Sequence, residues 1–298
     1  MQKRKIWENF LQWVLPCVLL VIALVLSIYD FNNKMEIAIQ TVVDDQAEQI
    51  GLYYAAGVED KLKALGNITD AVASIMAARL DRGEAFLNEK LDTLMKASDA
   101  YMVVYCATNG TGFLNDRRQI DMTELNYYDS ILGETPHYLF TRSDGINGQM
   151  AFIYVCPITN SGNVNGYLLS YMEPAEMSDF FENSVYGDRA FFSLVDRNGT
   201  IMACYGATQG TKILQNDFWN SLKGVAESLG SWTLFDRQQQ KGDNGILHVN
   251  ENGVGKILCH FPIADTAWNL VVGIDESYLS GIQQSFRGPI VDLSLIHI

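Results

Sequence analysis

The hydrophobic pattern of the chain begins with one uninterrupted apolar run. From Asn9 to Tyr29 no charged side chain occurs, and Trp13 to Tyr29 is almost wholly apolar. At a helical rise of about 1.5 Å per residue, the run is long enough to cross the ~30 Å hydrocarbon core of a bilayer. Pro16 falls in its first turns, where a missing backbone donor does least harm. A helical pattern follows. Ile39, Val43, Ala47, Ile50, Tyr54, Val58, Leu62 and Leu65 recur at steps of three and four, as one helix face requires. Gly66-Asn67 reads as a kink, after which a second stripe runs through Ile68, Val72 and Ile75 towards Leu80.

Beyond about residue 100 the pattern changes to short apolar runs broken by Gly, Asn and Asp, the texture of strands and turns. The runs Tyr101 to Cys106, Tyr138 to Arg142, Ala151 to Ile158 and Tyr167 to Met172 read as strands. So do Ala190 to Asp196, Thr200 to Tyr205, Ser231 to Asp236, Gly245 to Val249, Lys256 to Pro262 and Asn269 to Ile274. Phe218 to Leu229 reads as a helix.

These runs repeat. Met102 to Cys106 leads to Asn109-Gly110-Thr111, and Phe191 to Val195 leads to Asn198-Gly199-Thr200. Asn-Gly is a tight-turn signal, because both residues tolerate positive φ. Each half then has a strand ending in Pro-Ile, at Pro157-Ile158 and Pro262-Ile263. A last strand closes on an acid in both, Glu173 and Asp275, and a helix start follows at Pro174 and at Glu276. The order implies two related units of hairpin, helix and three-stranded meander behind one long helix.

Charge sets the orientation. Lys3, Arg4 and Lys5 precede the apolar run, whereas Asp30, Glu36, Asp44 and Asp45 follow it, which leaves the N-terminus cytoplasmic and the rest outside. A cleaved signal peptide would end in a small-x-small site, but Ser27-Ile28-Tyr29 puts a bulky ring at that point. A net charge of −14 argues against nucleic acid, since phosphate neutralisation needs clustered Lys and Arg, so no nucleic acid partner is expected.

The anchor, the long helix and the paired module endings together resemble the double Cache family, whose sensor regions stack two PAS-like modules on a long helix. The resemblance covers roughly Lys34 to Ile282. It implies an α+β fold, with a transmembrane helix, a stalk helix and two PAS-like antiparallel-sheet modules. The corresponding division is 1–12 cytoplasmic, 13–30 transmembrane, 31–66 stalk, 67–183 membrane-distal module and 184–284 membrane-proximal module. Residues 285–298 read as the truncated start of a second span or a non-native tail. The resemblance also implies the extracytoplasmic part of a bacterial transmembrane receptor, dimeric through the stalk. Its output would be a chemotaxis module, a histidine kinase or a diguanylate cyclase.

No catalytic pattern competes with this reading. The four histidines His137, His248, His260 and His297 form no His-Glu-x-x-His motif, and no Cys-x-x-Cys, calcium-loop or Gly-x-Ser-x-Gly spacing occurs. No enzyme activity, metal or cofactor is expected of this region. Cys106, Cys156, Cys204 and Cys259 each fall on an expected strand as small buried residues, with a Cys106–Cys156 bridge as the alternative.

The resemblance places the binding site in the distal module. Tyr127, Tyr128, Asp129, Arg142, Asp144, Tyr154, Tyr171 and Glu173 are the polar and aromatic candidates there. Aromatic walls supply apolar contact, Arg142 a fork for a carboxylate, and Asp144 or Glu173 a partner for an ammonium group. The ligand classes considered are amino acids, amines and organic acids. Amino-acid sensors of the family carry Arg two residues before their aromatic pair. Leu125 stands at that place before Tyr127-Tyr128, which weighs against amino-acid sensing unless Arg142 substitutes. A protein partner in place of a small ligand is the second expectation, and a membrane-tethered enzyme the third.

Overall fold

The computed structural model describes residues 2–79, 82–182, 189–206, 214, 217–251 and 253–278; the side chains of 2–16, 179 and 182 are outside the description. Helix α1 runs from Gln2–Ala77. Its residues up to Gln46 belong to one compact unit, and Ala47–Tyr278 forms another. In the first unit Leu19, Leu20, Val21, Val25 and Leu26 are all more than half exposed. The segment is long and apolar enough to cross a membrane.

In the second unit the helix stripe becomes a packing face. Ala47, Tyr54, Val58, Leu62, Leu65, Thr69, Val72, Ala73 and Met76 are buried at the helical period. Helix α1 runs without interruption through Gly66-Asn67, where a kink is expected from the sequence. Gly66 serves close approach instead. A Cβ there would press on Tyr138 and Tyr154, and one at Gly51 would overlap the ring of Phe261. Ile75, expected in the stripe, is exposed, because the buried face has rotated onto Ala73 and Met76.

Behind α1 come α2 (Glu84–Ala97) and a six-stranded antiparallel sheet. Its strands are β1 (Met102–Ala107), β2 (Thr111–Leu114), β3 (Gln119–Asp121), β4 (His137–Thr141), β5 (Ala151–Asn160) and β6 (Asn163–Met172), ordered β3-β2-β1-β6-β5-β4. The short helix α3 (Tyr128–Ile131) lies between β3 and β4 in sequence. After α4 (Ser178–Glu182), the second sheet contains β7 (Ala190–Asp196), β8 (Ile201–Gly206), β9 (Gly245–Glu251), β10 (Val254–Pro262) and β11 (Trp268–Asp275). Its order is β8-β7-β11-β10-β9, the same as the first sheet without β3. Helices α5 (Phe218–Lys223) and α6 (Leu229–Lys241) connect β8 to β9.

The duplication read in the sequence is therefore structural. Gly110 and Gly199 both take φ of 86° at the expected turns. The side chains of Asn109 and Asp196 each accept a backbone N–H within their turn. The two sheets meet through Trp268 of β11, whose ring lies 5.2 Å from Phe152 and 6.1 Å from Tyr138.

Each sheet buries both faces. In the distal sheet Val104, Cys106, Ile153, Val155, Leu169 and Tyr171 pack with Met122, Tyr127 and Ile131. Residues of opposite parity on β5 and β6 face α1, where Tyr154 donates to both oxygens of Asp70 (2.9 and 3.0 Å) and Ser170 bonds Thr69 at 2.7 Å. In the proximal sheet Phe191, Val195, Leu258 and Val271 pack under Phe218, Leu222, Trp232 and Phe235.

Two further expectations are corrected. Ser231 to Asp236, expected as a strand, lies inside α6. Ser228 caps that helix by accepting Ser231 N–H, and Gly242 ends it in the left-handed region. Its Trp232 and Phe235 are buried at a spacing of three, a helical interval. The helix expected over Phe218 to Leu229 stops at Lys223, and Ala226 then pairs with Val249 as a bridge. Cys106 and Cys156 are buried free thiols, as first expected, and the alternative bridge between them is not formed. Cys106 sits opposite Tyr167 and Cys156 opposite Leu168, so β6 separates them and they point to opposite faces. Burial pushes these thiols up to about 11 and about 12. The expected module boundary at 183/184 and the expected second span at 285–298 lie outside the described residues.

Candidate functional site

The inner face of the distal sheet ends in a polar cluster centred on Asp144, which is fully buried. Its chain segment turns at Gly145 and Gly148, both at positive φ. This geometry lets Asp144 Oδ1 accept the backbone N–H groups of Ile146, Asn147 and Gly148 at 2.9, 2.7 and 2.7 Å. Oδ2 accepts the Tyr101 hydroxyl at 2.8 Å. The Tyr127 hydroxyl donates to the Asp144 carbonyl at 2.7 Å and lies 3.2 Å from the Tyr171 hydroxyl. Tyr101 ahead of β1, Tyr127 at the start of α3, Tyr171 of β6 and the β4–β5 loop thus gather around Asp144.

The electrostatics follow from this convergence. Burial works against the charge on Asp144, but three backbone N–H groups and the Tyr101 hydroxyl prevail and hold the carboxyl below its ordinary range. Burial and then the neighbouring Asp144 raise Tyr101 far above the usual phenol. Burial pushes Tyr127 up to about 12 and Tyr171 well above its usual value. All three phenols therefore stay protonated and remain donors at neutral pH.

The structure brings together Tyr127, Asp144 and Tyr171 from the expected set, with Tyr128 half-buried against the same cluster. Asp129 and Arg142 are exposed. Arg142 follows the last residue of β4 and is no partner of Asp144, whose acceptor positions are taken. Glu173 is half-buried beyond the end of β6, close enough for its charge to act on Tyr101. Tyr154 stands on the opposite sheet face, against α1. Tyr101 was read only as the start of a strand, and nothing in its local sequence marks it as the donor to a residue so far along the chain.

Elsewhere on the distal module a pocket of about 460 Å³ is lined by Gly83, Glu84, Leu87, Tyr105, Phe113 and Asn165. It opens on the α1 side of the sheet, because Tyr105 pairs with Leu168 rather than with Tyr171. Among the described residues no group of three or more His, Cys, Asp or Glu side chains is arranged to hold a metal ion.

No family model matches the chain, and no curated protein matches it. Solved structures do match. The ligand-binding domain of the Pseudomonas fluorescens chemoreceptor CtaA, in complex with L-isoleucine, superposes with a TM-score of 0.63 at 14% identity, over 82% of this chain and 97% of that one. The ligand-binding domain of the Campylobacter jejuni chemoreceptor Tlp3, in complex with L-norvaline, gives 0.60 at 15% identity, over 81% and 93%. The extracellular domain of rpHK1S-Z16, described as a histidine kinase, gives 0.59 at 16% identity, over 78% and 95%. The chain shares the fold of these domains, a long helix followed by two antiparallel sheets.

Proposed function

We propose that this chain is the extracytoplasmic small-molecule sensing region of a bacterial transmembrane signalling receptor, with its N-terminus cytoplasmic and its ligand site in the distal module. The observation that carries the proposal is the order of parts. An apolar segment that can cross a membrane continues as the helix against which the distal sheet packs, in a fold that chemoreceptor ligand-binding domains also adopt.

The site is the inner face bounded by Tyr101, Tyr127, Tyr171 and the loop held by Asp144. Entry of a ligand lifts that loop, which breaks the Tyr101–Asp144 and Tyr127–Asp144 hydrogen bonds. Carboxylates dominate its rim, through Glu173 and the released Asp144, while Arg142 stands exposed. This balance favours a ligand that carries an amine over a simple organic acid. Signalling follows from adjacency along β6. Tyr171 faces the site, and its neighbour Ser170 holds Thr69 of α1 from the other side. A ligand that moves β6 biases the helix, and shifts of about 1–2 Å suffice where the interface has two packings.

Thermal unfolding of the full chain in nanodiscs tests the proposal against panels of amines, amino acids and organic acids. A ligand at 100 times its dissociation constant adds about 2.7 kcal/mol. The expected result is a stabilising amine or amino acid whose effect is lost in Tyr171→Ala. A flat response across all panels contradicts it. That outcome favours a second reading, recognition of a protein partner, which the filled inner face and the exposed Leu132 (48%) and Met150 (51%) support.

A further inference from the structure

The proximal module contains a histidine that its surroundings cannot accommodate as a cation. Among the described residues, three buried side-chain nitrogen or oxygen atoms have no hydrogen-bond partner: His260 Nδ1, His260 Nε2 and Asn269 Oδ1. They share one place. His260 on β10 lies opposite Val271 of β11, and Asn269 is two residues from Val271, so both side chains occupy the same sheet face as diagonal neighbours. That is the face covered by α5 and α6.

The imidazole is fully buried in an aromatic setting. The Phe235 ring stands edge-on to it at 4.5 Å and 89°, and the Trp219 ring at 6.3 Å and 79°. Gly245, opposite it on β9, carries no Cβ, and one placed there would overlap the imidazole. The neighbours that face it are thus Gly245 from β9, Val271 from β11, Trp219 from α5, and Phe235 with Gln238 from α6; none bears a charge.

The charges these elements do carry point elsewhere. Lys223, Arg237 and Lys241 are exposed, and Asp236 accepts from Gln240 at 2.9 Å. Lys256, Glu251 and Asp275 share the sheet face, but Lys256 lies four residues along β10, about 13 Å at strand rise, with Asp275 opposite it and Glu251 as its ion-pair partner. His248, by contrast, meets Glu276 at 2.8 Å on the other face.

We propose that His260 makes the proximal module acid-responsive: when its imidazole takes up a proton from solvent, the uncompensated buried charge loosens α5 and α6 from the sheet. A buried charge with neither partner nor solvent is among the least favourable states in a fold, and opening the helices to admit water relieves it. Burial pushes this group down to about 4; the Phe235 carbonyl lies near enough to offset burial in part, but not in hydrogen-bonding geometry with either ring nitrogen. Because the folded value lies below the ordinary one, stability is complete above pH ~6.5 and falls as the pH drops from there towards ~4. The opening equilibrium should rise about 30-fold between pH 7.5 and pH 5.

Hydrogen exchange on the full chain in nanodiscs tests this. After correction for intrinsic rates, amides of α6 and of β10 around His260 should exchange about 30-fold faster at pH 5 than at pH 7.5. Those of distal β5 should keep their rates, and His260→Phe should abolish the proximal response. An unchanged response in His260→Phe, or no response in the wild type, overturns the proposal. Should that variant not fold, deuterium incorporation at the imidazole C2 of wild-type His260 reads its protonation directly, with His137 and His248 as internal references. A midpoint below pH 5 supports the proposal, and one at pH 6.5 or above overturns it.

Discussion

Asp144 accepts four hydrogen bonds, three from its own loop and one from Tyr101, while its carbonyl accepts a fifth from Tyr127. Removing the carboxylate takes the acceptor from three loop N–H groups and from a half-buried phenol. Asp144→Ala should therefore cost about 3–5 kcal/mol in urea unfolding at pH 7. Asp144→Asn keeps an oxygen for the loop and should cost about 1–2 kcal/mol. The carboxylate also sets a pH limb. Its folded value is lowered, so its contribution is present above pH ~4 and lost as pH falls through the folded value, below the window in which His260 acts. Equal losses in the two variants would show that a neutral acceptor does not hold the loop and would contradict this division between oxygen and charge. Neither the Tyr101 contact nor the unpartnered state of His260 was legible in the sequence. Both depend on strands that pair across long separations, which local pattern does not encode.

Among the elements, α1 and the strand order were legible, because apolar period and turn chemistry agree there. The buried stripe from Ala47 to Leu65 follows the expected residues, and the paired Asn-Gly turns mark equivalent hairpins. The strand expected at Ser231 to Asp236 failed because Trp-Thr-Leu-Phe is strand-like in composition. Its Ser228 cap and Gly242 stop, which define α6, lie outside the run. Strand β3 was passed over because it is three residues long and mostly exposed. Helix α2 was missed although Leu87, Leu91 and Leu94 recur at steps of four and three.

Gly66, read from the sequence as a kink, admits the rings of Tyr138 and Tyr154, and Gly51 admits that of Phe261. Gly51→Ala gains about 1 kcal/mol of helix propensity but overlaps Phe261, which is 1% exposed. Overpacking of that kind costs about 1–3 kcal/mol, so thermal unfolding should show net destabilisation. A gain in stability would place Phe261 off the helix. The hydrogen bond between Thr69 and Ser170 is the proposed coupling between β6 and α1. In a double-mutant cycle Thr69→Val and Ser170→Ala should couple by about 1 kcal/mol. Additive losses would remove that link.

At the scale of the molecule, the candidate site was half legible. Tyr127, Asp144 and Tyr171 come together, while Tyr154 belongs to the α1 interface and Arg142 to the surface. Tyr154 lies on the opposite sheet face and Arg142 just beyond the end of its strand, distinctions that require the register. The proposed dimer through α1 uses its exposed side, which includes Leu52 (39%) and Tyr53 (66%). Tyr53→Cys should cross-link to a second copy under mild oxidation in membranes, and a wholly monomeric product would contradict pairing there.

The proposal as a whole turns on whether a small molecule seats on the inner face of the distal sheet and is felt by α1. Hydrogen exchange on the full chain, with and without the strongest stabiliser from the amine and amino-acid panels, measures both at once. The account expects slower exchange in the loop around Asp144, in β6 near Tyr171, and in α1 between Leu65 and Met76. Protection confined to the proximal sheet, or none anywhere, would contradict it.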